Sequence, residues 1–230
     1  MNALVMQGRL AWLRRLGHLA RPVLAGLPLL LLWPAARHLI ESRMSWHMLI
    51  EFPLLLAAGW AAHRLSSGWA PLRRIGQHAR LLDWHGWSTA TYCALVSIVW
   101  MVPSALDMAL IDGRVALLKV FSLWLAGWLL AGGLARMPAE VLLFLAGNLG
   151  WMMATAGLLY AETPTQLCVN YGQNDQVHTG HGLVAWALVI GAIALRQVVR
   201  LAGAHDEAQA KPRAEPARDG PRAQRSPRAT

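Results

Sequence analysis

The chain has 230 residues, 56% of them hydrophobic and 14% charged, with a mean hydropathy of +0.36. So little charge excludes an ordinary soluble domain, and the net charge of +9, gathered in certain loops and in the C-terminal tail, bears on membrane topology rather than on nucleic acid. Two cysteines exclude a disulfide framework or a multi-cysteine zinc site.

Arg9, Arg14 and Arg15 precede a first apolar segment at about 16–36. The basic region is too long for a signal peptide and no small-x-small cleavage site follows, so the segment is expected to be a retained span. Further apolar blocks of membrane-crossing length lie at about 45–62, 87–106, 115–135, 139–161 and 180–201. A span must satisfy its own backbone bonds, and no alternating ten-residue pattern suggests a barrel. The predicted fold is therefore all-α, a polytopic membrane helix bundle of about six transmembrane helices over residues 1–203.

Between the second and third spans, Leu72, Ile75, Ala79 and Leu82 repeat at helical spacing, with Arg73, Arg74 and Arg80 between them. This predicts an amphipathic helix at about 71–84 on an anionic leaflet. Residues 204–230 carry alanine, proline and charge but no large apolar side chain, so a disordered basic tail is expected.

With the N-terminus in the cytoplasm, the inner flanks hold Arg9, Arg14, Arg15, Arg21, Arg64, Arg73, Arg74, Arg80 and Arg136, and the outer flanks only Arg37, Arg43 and Arg114. Both termini are thus expected to be cytoplasmic, in a bacterial inner membrane. Trp33, Trp46 and Trp100 then fall near the outer surface and Trp12, Trp60, Trp84, Trp87 and Trp128 near the inner one, as an aromatic belt would.

The same topology collects the chemistry on the outer side. His47 and Glu51 are four apart at the head of the second span, so they share a helix face, with Met48 beside it. A histidine and a carboxylate inside a span are tolerated where they face a polar cavity, a partner or an ion. Trp100, Met101, Asp107 and Asp112 reach the same side, and Lys119 lies about a turn into the fourth span, expected to pair with Glu51, Asp107 or Asp112. The last outer loop brings Cys168, Asp175, Gln176 and His178, and His181 opens the final span. Imidazole, thiolate and thioether together suit copper. Cys93 and Cys168 fall on opposite sides, so no internal disulfide is expected.

Three stretches carry a family resemblance. They are His47-Met48-Leu49-Ile50-Glu51; Trp100-Met101-Val102-Pro103 followed by Ala105-Leu106; and Asp175-Gln176 with Gly180, Gly182, Leu183 and Trp186. In this order they resemble motifs of the CtaG-type cytochrome c oxidase assembly family, multi-span membrane proteins linked to copper delivery to haem–copper oxidases. The chain departs from that pattern where Glu51 and Met101 stand in place of histidines, and where the following span has Lys119 and Ser122.

The resemblance implies a copper-linked assembly factor or chaperone for a membrane-bound respiratory oxidase. Copper would be held by His47, Met48, Glu51, Met101, His178 and His181. Trp100, Asp107, Asp112, Lys119, Cys168, Asp175 and Gln176 would form the polar surround. A non-metal membrane subunit or scaffold, whose polar cluster locks helices or docks a partner, is the alternative. A haem or quinone protein using His47 and His181 is a third. No nucleophile–base constellation points to an enzyme.

Overall fold

A computed structural model describes residues 22–23, 25–28, 30–31, 33–66, 70–167 and 171–210. All regular structure among them is helical. The start of the expected first span, the arginines before it, Cys168 and the tail beyond Ala210 lie outside the described residues. The chain divides into two units, Met1–Ala194 and Leu195–Thr230. The described part of the second is helical, so helix continues past the point where disorder was expected to begin.

Helix α1 is Pro34–Ile40. A short helical stretch, Met44–Trp46, runs through a π-helical turn, His47–Glu51, into α2, Phe52–Ser66. The widened turn has a local cause. Pro53 has no N–H to offer the carbonyl of Leu49, and its ring crowds that carbonyl, so one looser turn ahead of it relieves both problems. Helix α3, Ala70–Leu82, occupies the predicted amphipathic segment. Its Ile75, Leu81 and Leu82 are exposed beside exposed Arg74 and Arg80.

Helices α4, Trp87–Met101, and α5, Pro103–Ile111, replace the single third span. Val102 precedes a proline and is extended (φ −80°, ψ 123°), so the helix breaks there and the two parts diverge by 77°. Helix α6 is Gly113–Gly133, α7 is Ala139–Glu162 and α8 is Gln173–Ala210. Among the described residues, three helical stretches are long and apolar enough to cross a membrane, Gly113–Arg136, Ala139–Glu162 and Gln173–Arg200, and the bent pair would make a fourth. This is the make-up of a membrane protein.

The central seam joins α2 to α6. A side chain at Gly59 would strike the backbone of Trp124, and one at Gly127 would strike the carbonyl of Leu56. Each glycine admits the other helix's backbone, the close approach by which small residues join membrane helices. Against expectation, Trp100 and Trp128 do not lie in a surface belt. Both are buried, while Trp33, Trp46, Trp84 and Trp87 are exposed.

The seam gives a direct test. Gly127→Ala places a methyl group against a backbone carbonyl and is expected to cost about 1–3 kcal/mol by overpacking. Gly147→Ala, whose new methyl group meets no other element within 4 Å, should leave the melting temperature of the detergent-solubilised protein unchanged or slightly raised, since alanine is the better helix former. Equal melting of the two variants would show that the seam is looser than described.

Candidate functional site

Three of the residues that sequence spacing places on one side of the membrane, His47, Glu51 and Lys119, meet at one buried point, and its centre is Lys119. The ammonium is fully buried on α6. Its Nζ donates to Glu41 Oε1 at 2.6 Å and to His47 Nε2 at 2.9 Å, and Glu51 Oε1 lies 2.8 Å away. An ammonium has three N–H groups and no lone pair, and three basic groups surround this one. The contact with Glu51 is ionic: neither Glu51 oxygen has a hydrogen bond of good geometry. The second Glu51 oxygen is 3.7 Å from His47 Nε2, too far for a hydrogen bond.

The neighbouring groups set the histidine's tautomer. His47 Nε2 faces a donor and must accept, so Nδ1 carries the hydrogen and donates to the Tyr171 hydroxyl oxygen at 2.7 Å. Phe52 and Tyr171 both stand edge-on to the ring. Glu41 is held from its other side by Arg37, whose Nε donates to Oε2 at 2.8 Å. Arg37 also reaches the carbonyl of Leu110 at 3.2 Å, tying the group to α5. The cluster thus holds two carboxylates, two cations and a neutral imidazole, and the formal charges cancel. Burying one of these ions alone would cost several kcal/mol.

The surrounding polar residues build the frame. Trp100 Nε1 donates to Ser122 Oγ at 2.9 Å, and Ser122 donates to the Lys119 carbonyl at 3.1 Å, which fixes the lysine's own turn of helix. Asp175 on α8 receives the Met44 N–H and the Ser45 hydroxyl (2.7 Å), so it caps the helical stretch that carries His47. Gln176 accepts from the Leu167 N–H at 2.8 Å and donates to the Tyr160 carbonyl at 3.3 Å. Tyr160 in turn donates to the Met101 carbonyl at 3.1 Å, just before the break at Val102. A vestibule of about 500 Å³, lined by Arg37, His38, Glu41 and Tyr171 among others, leads to the cluster.

The expected ligand set is divided by this geometry. His47 and Glu51 are in the cluster. Met48 and Met101 line a separate apolar cavity, and His178 and His181 are exposed on α8. Of Lys119's expected partners, Glu51 is one. Asp112 is instead exposed and caps α6 through the Arg114 N–H at 2.8 Å; Asp107 is half-buried. Glu41, Arg37 and Tyr171 complete the cluster and Ser45 bonds the Asp175 cap, none of them among the expected site residues. Arg37 and Glu41 are four apart, a spacing that signals an ion pair.

Glu41, His47 and Glu51 offer ligand atoms within 4.8 Å of one another, a spacing that could hold a metal ion. The position between them is where Lys119 Nζ stands. Two carboxylates and one imidazole are also not a copper(I) donor set, which favours sulfur. The residues therefore fit an internal ammonium better than they fit copper. No family model, curated protein or solved structure matches the chain.

Replacing the centre should expose its cost. Lys119→Met strands two buried carboxylates and is expected to destabilise the protein by about 3–5 kcal/mol. Adding Glu51→Gln should recover part of that loss, a coupling that thermal melts of the single and double variants would read. Additive losses would mean that the two residues do not interact.

Proposed function

We propose that this chain is a multi-pass inner-membrane assembly or scaffold protein for a respiratory haem–copper oxidase, and that its buried cluster is an ion lock closed by Lys119 rather than a resident metal centre. The carrying observation is the ammonium's place, within 2.9 Å of Glu41, Glu51 and His47. The oxidase connection rests on the resemblance of the three motifs. Its support is that all three serve one site: His47 and Glu51 form it, Trp100 fixes the Lys119 turn through Ser122, and Asp175 caps the stretch bearing His47. Residues far apart in sequence have a common structural task there. Six spans with both termini in the cytoplasm belong to the same proposal and rest on the arginine asymmetry.

The lock has a mechanical consequence. It binds the stretch before α2, the α1 end and α6 through one cation, and the loop before α8 through the His47–Tyr171 bond, and the vestibule borders its Glu41–Tyr171 edge. A partner's basic or hydroxyl group approaching there would compete for Glu41, which makes that edge the docking point in this reading.

A second reading, copper carriage, is favoured by the 4.8 Å ligand spacing. It requires Lys119 to lose its proton and swing away. Metal analysis separates the two. Protein purified after growth in copper is expected to carry no stoichiometric copper, and deleting the gene should lower the oxidase absorbance of the membranes without rescue by added copper. About one copper per chain, lost in His47→Ala, would establish carriage instead. Unchanged oxidase levels on deletion would remove the oxidase connection.

A further inference from the structure

Beside the ion lock lies a cavity of about 210 Å³ between α2, α4, α6, α7 and α8. Aliphatic side chains, Leu123, Leu145 and Leu183 among them, make up much of its wall. The hydroxyl and thiol on that wall are committed to backbone: Ser97 donates to the Cys93 carbonyl at 2.8 Å, and Cys93 donates to the Ala126 carbonyl at 3.8 Å. A charged or strongly polar ligand would lose its hydration there without replacement. Apolar cavities of about 150 Å³ stay dry and accept benzene, so this one has room for a single ring.

The rest of the wall narrows the ligand class. Met48, Met101 and Met153 come from three separate elements, the π-helical turn, the end of α4 and α7, and meet on this cavity. Met48 and Met101 are buried, so their thioethers serve the interior and not the lipid. A thioether is polarisable, adapts to the shape it meets and makes favourable contacts with the edge of an aromatic ring, which an aliphatic ligand does not offer. Trp186 of α8 is the most exposed residue of the wall, at 40%, and so belongs both to the cavity and to the outside of the bundle. An apolar molecule dissolved in the bilayer would enter there.

We propose that this cavity is a binding site for one small uncharged aromatic molecule, a single ring without polar substituents, held against the Met48, Met101 and Met153 thioethers and reached from the lipid beside Trp186. The site does not depend on the oxidase reading. Its ligand would touch the turn that carries His47 and Glu51, because Met48 lies between them in that turn.

The test is NMR of the full chain in detergent, ¹³C-labelled at the methionine methyl groups, titrated with toluene and with methylcyclohexane. Single Met→Leu variants at 48, 101 and 153 assign the three signals, and exposed Met108 reports what toluene does in the detergent alone. Toluene is expected to give saturable ring-current shifts at Met48, Met101 and Met153 and only a linear drift at Met108. Methylcyclohexane, similar in size but without a ring current, should displace toluene at roughly tenfold higher concentration, the worth of a few sulfur–aromatic contacts. Ser97→Leu, which adds volume to the wall, should abolish the saturable shifts, and its melting temperature reports whether it is folded; the wild-type titration decides alone if it is not. Shifts that merely follow Met108, or none at the three methyl groups, as when a lipid tail fills the cavity, would overturn the site. Equal potency of methylcyclohexane would overturn the aromatic class, and saturable shifts kept in folded Ser97→Leu would overturn the location.

Discussion

A lysine ammonium buried among two carboxylates and an imidazole is the constraint on which the rest of this protein depends. Taking such ions out of water costs several kcal/mol each, and the cost is offset only if every partner is in place. That requirement fixes much of the architecture. Glu41 must stand at the end of α1, His47 and Glu51 on successive turns before α2, and Lys119 at the matching height on α6. Arg37 balances the charge, and Tyr171 takes the remaining imidazole hydrogen.

The helices are shaped to meet that demand. Gly59 and Gly127 let α2 and α6 approach until backbone meets backbone, which puts Lys119 within reach of Glu51. The π-helical turn sets His47 and Glu51 around the ammonium, and Pro53 accounts for the turn. The bend at Val102 turns α5 so that its carbonyls receive Arg37. Asp175 anchors the start of the helical stretch from across the bundle. The paired glycines, the π-helical turn and the bend each break a local helix rule, the Asp175 cap follows one, and all four serve the same buried cluster.

Much of this was legible in the sequence. Hydropathy gave a helical membrane protein, amphipathic periodicity gave α3, and the four-residue spacing of His47 and Glu51 gave the heart of the site. A count of donor types favours histidine and methionine and makes Lys119 part of the surround, whereas a buried cation is decided by which groups can reach it. Glu41 is the C-cap of α1, beyond its last helical residue, and only the four-residue spacing from Arg37 marks it in the sequence. Pro103 was visible as a motif residue, but a continuous apolar run hid its break. The place of Met48 and Met101 on a cavity wall was not legible at all, since a helix face alone does not say what packs opposite.

The most direct measurement uses the fact that the chain has two lysines, Lys119 and Lys211. In lysine-¹⁵N-labelled, glutamate-¹³C-labelled protein reconstituted in lipid, solid-state NMR would resolve the two Nζ signals, and Lys119→Met would assign them. The account predicts a rigid, charged Lys119 Nζ with dipolar contacts to two glutamate carboxylates. A neutral amine signal, or an Nζ with no carboxylate within range, would contradict it.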